Sequence, residues 1–334
     1  MDNENQERNI LIDGGTPKTY NFLDKSKGKT KIEDLKTVLK KLRKKGNKID
    51  LLILTHIDED HIGGLLRWFS LDKFAPDLIG KIWFNSAKLV AETLKIEIPE
   101  EELLEIEFED GLFTGVSQAI KFEEYIGKHN LWDRKLIKFD DIYNLWGATL
   151  TILSPNELKL DALKSHWMKE SVKLFTGGTD DYDLSLKEHI NDKTFTEDTS
   201  IPNASSIAFI MEYNNKTVIF LGDAHSKVIV QSLKNLGYSK EKPLKVDLVK
   251  LSHHGSQYNT SYELLELIDC RTFVICSNGD KHNLPDKKCL ARIINSKNDP
   301  VLYFNYREKI DEIFTAQDFL DFQFKAEGID EFTI

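Results

Sequence analysis

The sequence predicts an α/β protein. Three observations carry that reading. Short β-branched apolar runs recur along the chain, stretches of helical periodicity lie between them, and polar clusters rich in His and Asp follow several of the runs.

The strand-like runs are NILID (9–13), IDLLILT (49–55), KIWF (81–84), ATLTIL (148–153), SIAFIME (206–212), KTVIFL (216–221), VDLVKL (246–251), RTFVIC (271–276) and VLYF (301–304). YNNKT (213–217) joins two of them and reads as a hairpin turn. A first helix follows from the spacing of Ile32, Leu35, Val38, Leu39 and Leu42, closed by Gly46. Its many lysines read as a solvated face rather than a nucleic-acid patch. TSYELLELI (260–268) and DKKCLARIINS (286–296) also read as helices, capped by Thr260 and Asp286. The C-terminal stretch DEIFTAQDFLDFQFKAEGIDEFTI reads as a closing strand and helix, with a docking tail as the alternative.

Two regions break the alternation. Residues 86–145 include the acidic run EIPEEELLEIEFEDG, and residues 156–200 are polar and end in FTEDTSIPN. Both read as insertions or lids on one core, so a single domain over 1–334 is expected. With 334 residues the chain is long enough for about two domains at roughly 150 residues each, and one large α/β domain also fits.

The net charge of −10 excludes a surface that is everywhere an electrostatic trap for nucleic acid. A local basic groove stays allowed. The N-terminal MDNENQERNI has no signal-peptide core, and no run approaches the ~20 apolar residues of a membrane helix. Cys270, Cys276 and Cys289 match no CxxC spacing, so reduced thiols in a cytoplasmic protein are expected, with no membrane partner. The N-x-S/T matches at Asn203 and Asn259 then carry no sugar. There is no GxGxxG and no GxxxxGK[ST], so no phosphate-cradling nucleotide loop is indicated.

The densest chemistry lies in LILTHIDEDHIGGLL (52–66). A strand is expected to end at Thr55 and a helix to start at Ile62, with Gly63 and Gly64 allowing close backbone packing. In an extended connection alternate residues face the same way, so 56, 58 and 60 can share a pocket. His56, Asp58, Asp60 and His61 would repel one another or desolvate badly unless a cation neutralised them. Imidazole and carboxylate are common ligands of Zn, Mn and Fe. The cluster is therefore read as a metal site.

At these residues the sequence resembles the metallo-β-lactamase fold hydrolases. The family pattern H-x-H-x-D-H stands here as His56-Ile-Asp58-Glu-Asp60-His61, with Asp58 where the family usually has its second histidine. The ComEC-type branch and its stand-alone relatives resemble this form. The resemblance continues in NILIDGG, LTILSP (150–155), NASSIAFIMEYNNKTVIFLGDA, VDLVKLSHHGS (246–256) and VICSNGDKHNLPD (274–286).

The resemblance implies an αββα four-layer sandwich with the site where strand ends converge. It implies two divalent metal ions, with Zn the first expectation and Mn, Mg or Fe as alternatives. His56 and Asp58 would hold the first ion, Asp60 and His61 the second, with Asp223 bridging and His282 completing the second site. Asp13 would support the ligand loop. Asp60, His253 and His254 are the expected catalytic residues, with one of the two histidines over the substrate as phosphate ligand or general acid. No third-motif histidine follows LSP; His166 and His189 are candidates, His225 reads as a neighbour of Asp223, and nothing raises His129. Ser256, Asn278 and Asn203 are candidates to line the pocket.

The expected activity is that of a hydrolase using a metal-activated hydroxide on a phosphodiester, a nucleotide or short nucleic acid. The alternatives are hydrolysis of a carboxylic ester, lactone, thioester or β-lactam, and a partner-activated subunit of a multiprotein system, one handling foreign DNA for example, docking through the insertions.

Overall fold

The computed structural model describes residues 7–20, 22–24, 29–31, 34–94, 115–167, 180–280 and 282–334. The acidic run 97–111 lies outside the described residues. By contact the chain divides into two compact units, Met1–Ile137 with Glu157–Val172, and Lys138–Asn156 with Lys173–Ile334.

The first unit holds strands β1 (Ile10–Ile12), β2 (Phe22–Asp24), β3 (Lys29–Lys31), β4 (Ile49–Ile53) and β5 (Ile79–Trp83). β1, β4 and β5 form a parallel sheet in that order, and β2 and β3 pair antiparallel. Ile49, Leu51, Leu52 and Ile53 are all buried. Such continuous burial is what a strand covered on both faces requires, and it is why IDLLILT does not alternate. The helices Asp34–Lys44 and Glu59–Leu71 connect the strands. The second buries Ile62, Leu65, Trp68 and Phe69 in the core, where Val90 of Ala87–Thr93 and Phe122 and Ile126 of Gly115–Lys128 join them. The described parts of 86–137 thus supply core side chains.

Gly63 and Gly64 do let backbones touch. A Cβ on Gly64 would lie 1.9 Å from the Gly14 carbonyl oxygen, and one on Gly63 2.6 Å from the Pro17 ring. Gly14 N–H donates to His61 O at 2.8 Å, and Gly64 N–H to Gly15 O at 2.8 Å.

The second unit holds β6 (Ile142–Leu145), β7 (Ala148–Ser154), β8 (Ala208–Tyr213), β9 (Lys216–Phe220), β10 (Leu244–Lys245), β11 (Leu248–Lys250), β12 (Ile268–Asp269), β13 (Thr272–Ile275), β14 (Val301–Phe304) and β15 (Lys325–Gly328). An eight-stranded sheet runs β15-β14-β13-β11-β9-β8-β7-β6, antiparallel from β6 to β9 and parallel from β9 to β15. β10 and β12 form a separate parallel pair. Asn214 (φ 48°) and Asn215 (φ 62°) make the two-residue turn between β8 and β9, where both central residues need positive φ. The C-terminal stretch closes the sheet: Ala316–Asp321 is a helix and β15 pairs with β14. Among the described residues no helix is long and apolar enough to cross a membrane.

Two helix starts differ from the sequence reading. Tyr262–Glu266 is capped by Ser261, whose hydroxyl accepts from Leu264 N–H, rather than by Thr260. Asp286 occupies the N-cap of Lys287–Ser296, yet its carboxylate takes the Gln257 N–H at 2.6 Å. Asp181 caps that helix from a distance, accepting the N–H groups of Lys287 and Lys288 at 2.7 and 2.9 Å. Tyr182 donates to Pro285 O beside it.

Burial, with the nearby Asp181 carboxylate adding to it, raises the Asp286 carboxyl to about 6. A raised acid favours the folded state in its protonated form. That contribution is complete below the ordinary value of 3.8 and is lost as pH rises through about 6. Asp286→Asn keeps an acceptor for Gln257 and removes the titration. Denaturant unfolding at pH 4 and 7.5 should show wild-type stability, measured against this variant, falling by up to about 3 kcal/mol. A pH-independent difference would show that Asp286 is not perturbed. For the glycine contact, Gly64→Ala should cost about 1–3 kcal/mol. Gly127→Ala, in a helix with nothing within 4 Å of the new Cβ, should gain up to about 1 kcal/mol.

Candidate functional site

In the first unit the polar cluster sits between β4 and the helix Glu59–Leu71. That helix begins with Asp58 as its N-cap, three residues before the expected Ile62. Alternation therefore stops at Asp58, and Asp60 and His61 lie in the first helical turn. The reason is electrostatic: Glu59 and Asp60 are favoured where the first N–H groups of a helix are unsatisfied and its dipole is positive.

Convergence is reached by another route. The His56 and His61 rings lie 4.0 Å apart between centroids. Ligand atoms of His56 and His61, and of Asp60 and His61, lie within 4.8 Å of each other. His56 Nε2 stands 3.7 Å from Asp58 Oδ2. The two histidine side chains are buried while Asp58 is partly exposed.

Asp13 organises the cluster. Its backbone N–H continues the sheet ladder onto Ile53 O at 2.9 Å, and its φ of 58° turns the side chain toward Thr55. Thr55 N–H donates to Asp13 Oδ1 at 2.8 Å and Thr55 Oγ1–H to Asp13 Oδ2 at 2.8 Å. His61 Nδ1 donates to the same Oδ2 at 2.7 Å. With its proton on Asp13, the Thr55 hydroxyl oxygen accepts from His56 Nδ1 at 3.1 Å. Burial alone would raise the Asp13 carboxyl, but the His61 and His56 imidazoles and the Thr55 N–H bring it below its ordinary value. Held through Nδ1, each imidazole has Nε2 as its ligand atom.

In the second unit Asp223 follows β9, nearly fully buried, with its N–H on Ser206 Oγ. After β11, His253 (φ 44°), His254 (φ 54°) and Gly255 (φ 89°) are consecutive left-handed residues. Two non-glycine residues in that region carry strain, which clusters where geometry serves a site. The turn sends the rings to different partners. His254 Nδ1–H donates to Cys276 O at 2.6 Å. His253 Nδ1–H donates to Asn259 Oδ1 at 3.0 Å and lies 3.5 Å from Asp198 Oδ2, while its Nε2 is 3.8 Å from Asp223 Oδ2. Burial would lower the His253 imidazolium, but Asp223 and Asp198 outweigh it and lift it to about 9.

Asp198 and Asn259 escaped the sequence reading. Asp198 accepts from Ser200 N–H and from the Asn203 and Asn259 amides, at 2.8, 2.7 and 3.0 Å. The neighbouring His253 ring first, and then those bonds, hold its carboxyl well below the usual range despite burial. The local signal was present: Asp198-Thr-Ser200-Ile-Pro202 is an Asx turn running into a capped helix, Ile201–Ala204. Asn203, a candidate for the pocket wall, is part of this network.

The remaining candidates scatter. His282 is exposed, with φ 57°, and among the described residues joins no group of three ligand atoms. His189 is buried against Asp181 O, His225 occupies the N-cap of Ser226–Asn235 with Nε2 on Ser200 O, and the His129 ring packs tilted against Tyr125, 4.6 Å between centroids. The His166 side chain lies outside the described residues. Ser256 accepts from Tyr258 N–H, and Asn278 from Asp280 N–H.

The donors fit divalent ions. Buried imidazoles with Nδ1 engaged, next to carboxylates, form an N/O set suited to Zn, Mn or Fe. Asp13→Asn weakens the acceptor that fixes His61, so metal affinity should fall about 10–100-fold in a chelator competition titration. Unchanged affinity would reduce Asp13 to a structural residue.

The family model described as "Metallo-beta-lactamase superfamily" matches residues 4–279. The matched span includes loop 55–61 of the first unit and Asp223, His253 and His254 of the second. No curated protein matches the chain. A solved structure titled "CmlA beta-hydroxylase E377D mutant" aligns at 12% identity and TM-score 0.35, over 84% of this chain and 43% of that one. The chain thus spans less than half of that protein's length. On the family match, whose members usually bind divalent metals, this α/β chain belongs to the metallo-beta-lactamase superfamily.

Proposed function

We propose that the chain is a cytoplasmic phosphodiester hydrolase of the ComEC-type branch, acting on nucleotides or short nucleic acids with two divalent ions, Zn foremost. One observation carries the substrate class. His253 is held at Nδ1 by Asn259 Oδ1, with the Asp198 and Asp223 carboxylates 3.5 and 3.8 Å from its two ring nitrogens, a setting that favours the protonated ring. A fixed cation with a transferable proton suits an anionic ester with an alkoxide leaving group better than a neutral carbonyl.

Family membership supports His56 and Asp58 as holders of one ion, Asp60 and His61 of the other, with Asp223 shared and His282 completing the second. Bound there, divalent ions would supply Lewis acidity and lower the pKa of water. The chain's own residues divide the remaining work. His253 donates its Nε2 proton to the leaving oxygen, and Asn259 keeps Nδ1–H oriented so that Nε2 faces the ester. A cation on Asp223 would remove part of the lift on His253, leaving Asp198 to sustain it. His254, with Nδ1–H committed to Cys276 O, has its lone pair on Nε2. It acts as ligand or acceptor and not as the acid. Asp13 and Thr55 hold the His56 and His61 tautomers through turnover.

His253→Gln separates the acid role from a binding role. On a dinucleotide, whose leaving alkoxide needs a proton, kcat should fall ~10²–10⁴-fold. On bis-p-nitrophenyl phosphate, whose leaving group needs none, it should fall only a few-fold. Metal-loaded protein that hydrolyses neither substrate but turns over a lactone or thioester would overturn the reading.

A further inference from the structure

The helix Asp34–Lys44 belongs to no part of the proposed chemistry, yet it is the most basic element of an acidic chain. KTVLKKLRKKGNK (36–48) contains no acid, against a net charge of −10 for the whole. Lys41, Arg43 and Lys44 in the last turn complement the helix dipole. Lys36 and Lys40 do not. With Lys44 they recur every four residues on one face, where neighbouring like charges repel.

Two structural features adjoin that stripe. The first is a cavity of about 230 Å³ lined by Lys36, Lys40 and Arg43, with Tyr20, Leu71 and Asp72. The Asp72 carboxylate there is matched by Arg43 at 2.8 Å and by Trp68 Nε1–H at 3.3 Å, which leaves Lys36 and Lys40 as the other charges among the described lining residues. Lys36 Nζ lies 5.2 Å from the Tyr20 ring centroid, across the cavity wall. The second is Phe74, 53% exposed, with Lys73 Nζ 4.9 Å from its ring and its carbonyl bonded to Arg43. Cationic groups tracking a backbone beside an exposed aromatic face are the two requirements for binding single-stranded nucleic acid without sequence preference.

We infer that the Lys36–Lys40–Lys44 stripe with Phe74 is a docking surface for single-stranded nucleic acid. The inference rests on the phosphodiester reading and names the longer substrate that reading allows. The surface stands at the C-terminal end of Glu59–Leu71, whose first turn carries His61, so about 16 Å of helix separates the two. A stacked strand advancing ~3.4 Å per nucleotide covers that in about five nucleotides. A dinucleotide reaching His61 would not touch the stripe, whereas a dodecamer would.

The test reads binding without turnover: anisotropy of fluorescein-labelled dT12 in EDTA from 50 to 300 mM NaCl. Lys36→Gln/Lys40→Gln/Lys44→Gln should weaken binding at least tenfold at low salt. It should also cut the log–log salt slope by about 2, roughly 0.7 per phosphate contact. Phe74→Ala should weaken binding about tenfold at every salt with the slope unchanged. The same charge change at exposed Lys242, Lys245 and Lys325 of the other unit should stay within twofold. The triple variant relieves like-charge repulsion but gives up the Lys44 dipole and Lys36–Tyr20 contacts, so its melting temperature should stay within a few degrees of wild type; if it misfolds, Phe74→Ala carries the test.

Equal loss in the control set, unchanged binding in both test variants, or no dT12 binding by wild type overturns the inference. So does loss of binding to phosphatidylglycerol vesicles with dT12 binding intact, which would assign the stripe to a lipid surface. Tight dT12 binding without any cleavage in metal would sink the phosphodiester reading and leave this surface standing. Dinucleotide cleavage without dT12 binding would do the reverse.

Discussion

The site in the first unit depends on one hydrogen-bonded carboxylate. Asp13 takes three bonds, from Thr55 N–H, Thr55 Oγ1–H and His61 Nδ1. Through them it fixes the tautomers of two buried imidazoles. It can do so because the β1–β4 register sets Ile12 against Ile53, which puts Asp13 next to Thr55. A one-residue slip would turn Asp13 to the other face and expose the apolar side chains of β1. The hydrophobic pattern of a three-residue strand therefore positions the polar chemistry. The glycines add the second constraint, since Gly64 lets the ligand-bearing helix approach the Gly14 carbonyl.

The second unit solves the same problem by different means. There the backbone is bent, and consecutive left-handed residues aim His253 and His254 at separate acceptors. The strain is compensated by a network in which Asn259 serves His253, Asp198 and the Asp223 carbonyl at once. An amide that donates twice and accepts once makes the network rigid, and removing it leaves several buried groups unsatisfied. Rigidity of this kind suits proton transfer, where the donor must keep its orientation.

The sheet strands were legible because buried strands are chemically simple. IDLLILT and KTVIFL carry β-branched and aliphatic residues and little else. β15, with the sequence KAEG, was legible only as an unplaced closing strand within the C-terminal stretch, because a charged edge strand carries no apolar run to mark its bounds. The histidine-rich loop was legible by its density of donors, but its helix start was misplaced by three residues because the acids were read as ligands rather than as helix-terminal groups. Asp198 and Asp181 were missed for a different reason. The Asx turn at Asp198 is local, but its link to Asn259 spans 61 residues and that of Asp181 to Lys287 spans 106, and no local pattern encodes such a contact. Cap position was near but not right at Thr260, where Ser261 offered the same hydroxyl one residue later.

The proposal at the centre of this account is that the chain holds two divalent ions, with Asp223 among their ligands. Metal content by inductively coupled plasma mass spectrometry, on protein purified without chelator and beside Asp223→Ala, tests it most directly. The account predicts about two equivalents of divalent metal per chain, with at most one retained by the folded variant. Wild-type protein that holds no metal even after incubation with Zn²⁺ and Mn²⁺, or a variant that keeps both equivalents, would contradict it.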